Sequence, residues 1–117
     1  SSNLDLYWYD FSLKISPLEQ VTLLKKFNTN EFHLNSQNVF SVKNAIKIAS
    51  TPNGNFYGKT GTGRVNGQDI NGWFIGYVET SDNSYYFATN IQSDSNATGK
   101  KAFEITSDIL KKLHIWN

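Results

Sequence analysis

The sequence contains no cysteine and no methionine, and it has only one arginine and two histidines among 117 residues. Without cysteine there is no disulfide framework, no thiolate nucleophile and no cysteine-ligated zinc site. The formal net charge of +1 excludes the strongly basic field of a typical duplex-binding domain. No apolar run approaches the roughly 20 residues that cross a bilayer. The missing methionine predicts a processed chain or a piece of a longer one.

The sequence does contain enough apolar material for a core, since 38% of its residues are hydrophobic and 15% are aromatic. This composition argues against a disordered chain. We expect residues 1–117 to form one unit, in which 1–52 hold an irregular segment and two helices, 53–92 a β-meander, and 98–114 a C-terminal helix.

Three segments carry helical signals. Ser16, Pro17 and Glu19 form a capping box with proline at the first helical position. A second helix is predicted from about 36 to 49, and a third from about 98 to 113. The inward stripes are predicted to be Leu18, Val21, Leu24 and Phe27 in the first, Val39, Val42, Ile46 and Ala49 in the second, and Ala102, Ile105, Ile109 and Leu113 in the third.

The pattern changes between the second and third helices to that of three strands, predicted at 55–62, 73–79 and 85–91. The last two are apolar on both faces, which predicts central strands covered on both sides. The element order is typical of an α+β domain, an antiparallel β-meander with flanking helices. Three strands and three modest helices leave the sheet incompletely covered, so we expect an open edge on the third strand.

Lys59, Thr60 and Gly61 end the first predicted strand. Because Gly61 has no side chain, a ligand can lie along the strand edge and pair with its backbone. The ammonium group supplies positive charge, and the threonine hydroxyl can bind a carboxylate. A chance Lys-Thr-Gly occurs in roughly one chain in 20 to 40 of this length, so the triplet alone also fits a plain strand running into a turn.

The stretches Tyr57–Gly63 and Asn71–Thr80 resemble penicillin-recognising serine proteins, above all the β-lactam-sensing domain of BlaR/MecR-type signal transducers and the related class D β-lactamases. Tyr7-Trp8, residues 12–21 and the ending 99–102 fit the same family. The resemblance covers nearly the whole chain but only the C-terminal half of the family's domain. It implies the β-lactamase/transpeptidase-like fold.

In that family a Ser-x-x-Lys motif carries the nucleophile and Lys-Thr-Gly lines the far wall of the site. No serine here is followed three residues later by lysine, so the resemblance implies a nucleophile outside this chain and no catalytic side chain within it. It further implies electrostatic support from Lys59, a hydrogen bond from Thr60 to the ligand carboxylate, and an oxyanion-hole backbone N–H from Thr62. Gly61 and Trp8 complete the implied ligand-binding set, although Trp8 is equally a core aromatic.

The resemblance thus implies part of a sensor domain that penicillins acylate at a serine outside this chain, in a membrane-anchored parent and outside the cytoplasm. The lack of an arginine before the last helix favours the sensor over a class D β-lactamase. A non-catalytic carbohydrate- or peptide-binding module is the alternative of another class. Expected partners are a β-lactam antibiotic and, at the sheet edge, either the missing N-terminal half of the domain or a second copy.

We expect no nucleic-acid partner, no cofactor and no metal. His33 and His114 lie far apart in the sequence, and neither has a partner at ligand spacing. Whether the chain counts as an enzyme is left open, but alone it is expected to be inactive because the nucleophile motif is missing.

Overall fold

The computed structural model describes residues 16–117, so the predicted irregular segment and Trp8 lie outside the described residues. The helices are α1 (Pro17–Asn28), α2 (Ser36–Ala45) and α3 (Gly99–Lys112), and the strands are β1 (Lys47–Thr51), β2 (Gly54–Val65), β3 (Gln68–Thr80) and β4 (Ser84–Gln92). Each strand pairs antiparallel with the next, in the order β1-β2-β3-β4. The predicted α+β fold class is confirmed. Among these residues no helix is long and apolar enough to cross a bilayer.

The capping box begins α1 as predicted. The Glu19 N–H donates to the Ser16 hydroxyl at 3.2 Å, and the Ser16 N–H donates to the Glu19 carboxylate at 3.4 Å. Two N–H groups that an isolated helix would leave unpaired are therefore satisfied by neighbouring side chains. The inward stripe is only partly as expected, since Leu18 is exposed and Gln20 is buried in its place.

The prediction that the second helix reaches Ala49 is wrong. α2 ends at Ala45, and Lys47–Thr51 forms β1, which pairs with the start of β2. The β-branched residues of this segment suit a strand as well as a helical stripe. Pairing with β2, which follows β1 in the chain, decides between them. The meander therefore has four strands instead of three.

The core lies between the sheet and α3. Phe56, Phe74 and Val78 of the sheet pack with Ala102 and Leu110 of the helix. The Phe56 and Phe74 rings meet edge to face, with centroids 6.0 Å apart. Side chains alternate along a strand, so the residues next to Phe74 and Val78 face the other side of the sheet. Trp73 and Phe74 are both buried, as expected, but on opposite faces.

The predicted inward stripe of α3 is correct only at Ala102. Ile105, Ile109 and Leu113 are 41%, 47% and 62% exposed. The helix instead turns Thr106 toward the sheet, where its hydroxyl lies 2.6 Å from the Thr89 hydroxyl. This hydrogen-bonded pair lies inside the interface, on the buried stripe of Gly99, Ala102, Thr106 and Leu110 that α3 turns to the sheet.

β4 ends the sheet in the described part of the chain, with no further strand beside it. Its side chains are mostly half-buried, so the expectation that this strand is covered on both sides is wrong for these residues. The exposed stripe of α3 lies beside it. The edge of β4 and the exposed stripe of α3 together form an apolar groove.

α3 stops in a Schellman arrangement. The Ile115 N–H donates to the Leu110 carbonyl at 2.9 Å and the His114 N–H to the Lys111 carbonyl at 3.1 Å. This geometry requires a left-handed residue at the first position after the cap, and His114 has φ 58° there. Glycine normally occupies such a position because an L side chain is strained in it.

We expect His114→Gly to raise the free energy of unfolding of the chain by about 0.5–1 kcal/mol, since strain is relieved at the cost of some unfolded-chain entropy. His114→Ala, the matched control, should not stabilise because its Cβ keeps the strain. Urea denaturation followed by circular dichroism measures both. A glycine variant no more stable than the alanine variant would contradict the assignment.

Candidate functional site

The Lys-Thr-Gly triplet lies in the middle of β2, where Lys59 pairs with Ile75 and Gly61 with Trp73 on β3. On the other side of β2, strand β1 reaches only as far as Tyr57. The last contact there is a hydrogen bond of 2.9 Å from the Gly58 N–H to the Ile46 carbonyl. Beyond it no described strand lies outside β2, so an open edge begins at Lys59.

The direction of the backbone decides which groups this edge presents. Successive residues of an antiparallel strand point their N–H and C=O groups to alternate sides. Because the Gly58 N–H points outward to Ile46, the N–H and C=O groups of Thr60 and Thr62 point outward as well. The edge therefore presents the backbone N–H of Thr62, the atom expected to serve an oxyanion.

The Lys59 ammonium lies at the same edge. Its Nζ donates to the Thr60 carbonyl at 3.0 Å, and the side chain is exposed. A cation and outward N–H groups thus lie side by side along about two residues of strand. Such an edge can pair with an extended, amide-like and anionic ligand.

The threonine side chains face α3, on the opposite side from Lys59. The Gly99 N–H donates to the Thr62 hydroxyl at 2.9 Å. A Cβ at Gly99 would lie 2.8 Å from the Gly61 carbonyl oxygen and from the Thr60 Cβ. Glycine at this position therefore lets the start of α3 rest directly on the Lys-Thr-Gly segment. Gly99 was not predicted to be a site residue, and its place just after the capping threonine Thr98 was the available signal.

The first turn of α3 contains Lys100 and Lys101 and no acidic residue. Nothing there offsets the positive end of the helix dipole. The start of α3 is therefore electropositive.

On the Lys59 face, polar side chains continue across the sheet from Gly63. Asn71, opposite Gly63, is 1% exposed. The Asn90 amide donates to the Asn71 side-chain oxygen at 2.5 Å and to the Gly72 carbonyl at 3.1 Å. These bonds join β3 to β4 beside the far end of the site.

Two acidic side chains of β3 form ion pairs of their own, Asp69 with Arg64 at 2.7 Å and Glu79 with Lys43 at 3.7 Å. Within residues 16–117 no group of three or more His, Cys, Asp or Glu side chains is placed to hold a metal ion. Trp8 lies outside the described residues, so its role as a ligand-binding residue stays a prediction.

We expect Thr62→Val to lower the free energy of unfolding by about 1–3 kcal/mol, because it leaves the buried Gly99 N–H without an acceptor in nearly the same volume. Thr62→Ser, which keeps the acceptor, is the control and should cost much less. Urea denaturation measures the difference. Equal losses in the two variants would show that the hydroxyl is not what ties α3 to β2.

Comparison with known proteins identifies the family. Residues 1–111 match the model of the penicillin binding protein transpeptidase domain. The methicillin resistance mecR1 protein of Staphylococcus aureus is 45% identical over 109 residues, which are 93% of this chain and 19% of that protein.

Solved structures agree with this match. The C-terminal domain of the Bacillus licheniformis BlaR penicillin-receptor is 48% identical, with a TM-score of 0.82 over 88% of this chain and 42% of that one. A class D β-lactamase from Bacillus subtilis is 38% identical, with a TM-score of 0.78 over 88% of this chain and 41% of that one. The chain therefore spans less than half of the domains it resembles.

Proposed function

Because the chain belongs to the penicillin binding protein transpeptidase domain family, we propose that it is the C-terminal part of a β-lactam-sensing domain. The open edge of β2 supports this proposal, since it presents the Lys59 ammonium and the outward backbone of Thr60 and Thr62 together. The parent is then a membrane-anchored receptor with this domain outside the cytoplasm. The similarity to the mecR1 protein and the BlaR receptor favours this function over a class D β-lactamase.

In the proposed reaction, a serine outside this chain attacks the β-lactam carbonyl. A bond forms from the serine oxygen to the carbonyl carbon, the ring C–N bond breaks, and the serine proton passes through a base to the ring nitrogen. The Thr62 N–H, on the open edge, donates to the oxygen that becomes negative in the transition state. Lys59 supplies positive charge from one face of the edge, while the Thr60 hydroxyl, on the face toward α3, hydrogen-bonds to the ligand carboxylate. Gly61 lets the ligand approach the strand.

We expect this chain alone to form no covalent adduct with a fluorescent penicillin, and a longer polypeptide that includes the preceding half of the domain to form one. In that longer protein Lys59→Ala should slow acylation about 10²-fold, whereas Lys25→Ala, an exposed lysine on α1, should not. Gel fluorescence and intact mass measure both. A stoichiometric mass shift on the chain alone would refute the proposed division of the site.

A further readout separates the two candidate functions in the longer protein. A sensor keeps its acyl group, so deacylation should be slow after rapid acylation. Fast turnover of the chromogenic cephalosporin nitrocefin would instead favour the class D β-lactamase. Retained binding to a glycan array after Lys59→Ala would favour the carbohydrate-binding module.

The edge of β4 is the proposed contact with the rest of the domain. A groove of about 490 Å³ runs between β4 and α3. Its lining includes Tyr85, Phe87, Ile109, Leu113 and Ile115. An unpaired strand edge beside exposed apolar side chains recruits another strand. The proposed occupant is an extended segment from the preceding half of the domain, because this chain covers only 42% of the receptor domain.

We expect the chain to associate with a separately produced preceding half, and Ile109→Lys to weaken that complex at least about tenfold by burying a charge in the groove. Asp108→Lys, the adjacent exposed position on α3, is the control. Light scattering after size exclusion measures association. Self-association of the chain in place of the complex would favour a second copy as the occupant of the groove. A stable monomer that does not bind the preceding half would refute the proposal.

A further inference from the structure

Apolar packing does little to hold α2 on the sheet. None of its residues is buried, and its large apolar side chains Phe40 and Val42 are 64% and 46% exposed. A ten-residue helix is marginal in water unless something else fixes it. Among residues 16–117, the contacts that join α2 to the sheet are therefore chiefly polar.

Lys43 makes those contacts. Its ammonium lies 3.7 Å from the Glu79 carboxylate, and both side chains are about three-quarters buried. The same ammonium lies 5.6 Å from the centroid of the Tyr57 ring and 5.8 Å from that of Tyr77. A cation over two ring faces, paired with a partly dehydrated carboxylate, is attracted more strongly than an exposed ion pair.

Glu79 is also the point where the other elements of this face meet. The Asn28 amide at the end of α1 donates to the Glu79 carboxylate at 3.4 Å and to the Tyr86 hydroxyl at 2.8 Å. The Tyr57 and Tyr77 rings stack with centroids 4.7 Å apart. Burial first, and then the charge of Glu79, raises the pKa of both phenols. Both tyrosines are neutral at physiological pH, and their attraction for Lys43 is that of neutral ring faces.

This cluster adjoins the ligand edge. Lys43 lies one helical turn before Ile46, whose carbonyl accepts the Gly58 N–H at 2.9 Å. Tyr57 and Gly58 are the two residues immediately before Lys59. The Lys47 ammonium lies 5.9 Å from the Tyr57 ring centroid and adds a second cation at the same place. The C-terminal end of α2 is thus joined to β2 at Gly58, the residue directly before the open edge.

We propose that Lys43 and Glu79 are positioning residues for the acylation site, whose ion pair holds the Ile46 carbonyl on Gly58 and so sets the open edge of β2. The inference rests on the proposed function of that edge. Neither residue touches the ligand. Their effect passes through one backbone hydrogen bond to the strand that carries Lys59, Thr60 and Thr62. A displacement of the Thr62 N–H by even 1 Å costs about 10²-fold in rate where an oxyanion must be met in the transition state.

The first test measures the hydrogen bond itself in this chain. Amide hydrogen exchange at Gly58 should become about tenfold faster in Lys43→Gln and in Glu79→Gln. Lys43→Arg should restore the wild-type rate, and Lys25→Gln on α1 should leave it unchanged. The Ala102 amide, bonded to the Thr98 carbonyl within α3, is the internal reference. Unchanged exchange at Gly58, or equal acceleration at Ala102, would overturn the proposal.

The second test uses the longer polypeptide that includes the preceding half of the domain. Lys43→Gln and Glu79→Gln should lower the acylation rate constant at least about fivefold and leave the non-covalent dissociation constant within about twofold, because the edge matters most in the transition state. Lys43→Arg should recover the rate constant. A change in the dissociation constant alone, or in neither quantity, would overturn the positioning role. If the wild-type protein is not acylated, the proposed function fails, and exchange at Gly58 still decides the structural claim.

Discussion

The hydrogen bond from Gly58 to Ile46 is the point on which the geometry of the site depends. Up to that residue β2 is an interior strand with partners on both sides, and after it no strand of the described residues 16–117 pairs with β2 on one side. An interior strand has no backbone groups to offer a ligand, whereas a long unpaired edge recruits other strands. Because β1 pairs with β2 only as far as Tyr57, the length of β2 left exposed is the short one that contains Lys59, Thr60 and Thr62.

The short edge has to be rigid, and its supports come from both faces of the sheet. On one face the start of α3 rests on Thr60 and Gly61 and hydrogen-bonds to Thr62. On the other face β3 and β4 are joined beside Gly63 by the Asn71 and Asn90 amides. Donors aimed at a developing charge are effective only when they need not reorganise. The packing around the edge holds the proposed donor, the Thr62 N–H, in place and contributes no reactive group of its own.

Local chemistry made part of this structure predictable. The capping box of α1 involves Ser16 and Glu19, three residues apart, and needs no distant partner. The Lys-Thr-Gly segment could be placed on a strand from its neighbours alone. The exchange of helix for strand after Ile46 could not be predicted, because its β-branched residues suit either state and only pairing with β2 decides. The rotation of α3 about its axis could not be predicted either. Its buried stripe includes Thr106, whose hydroxyl pairs with that of Thr89 on β4, a strand separate from the helix.

The positioning cluster of Lys43, Tyr57, Tyr77 and Glu79 could not be predicted from the sequence for the same physical reason. Lys43, Tyr57, Tyr77 and Glu79 come from three elements, and each alone reads as an ordinary surface charge or a strand aromatic. Only the register of β2 and β3, which places Tyr57 opposite Tyr77, brings them together. The sheet therefore has two unlike faces. The face toward α3 holds an aromatic core, while the face that carries Lys59 also carries the ion pair and the amides. The Lys59 face is mixed, since Trp73, Tyr57 and Tyr77 are also buried on it. Its ion pair and amides are the polar groups that the charged and hydrogen-bonding parts of the proposed acylation site need as neighbours, because unpaired polar groups are costly to bury.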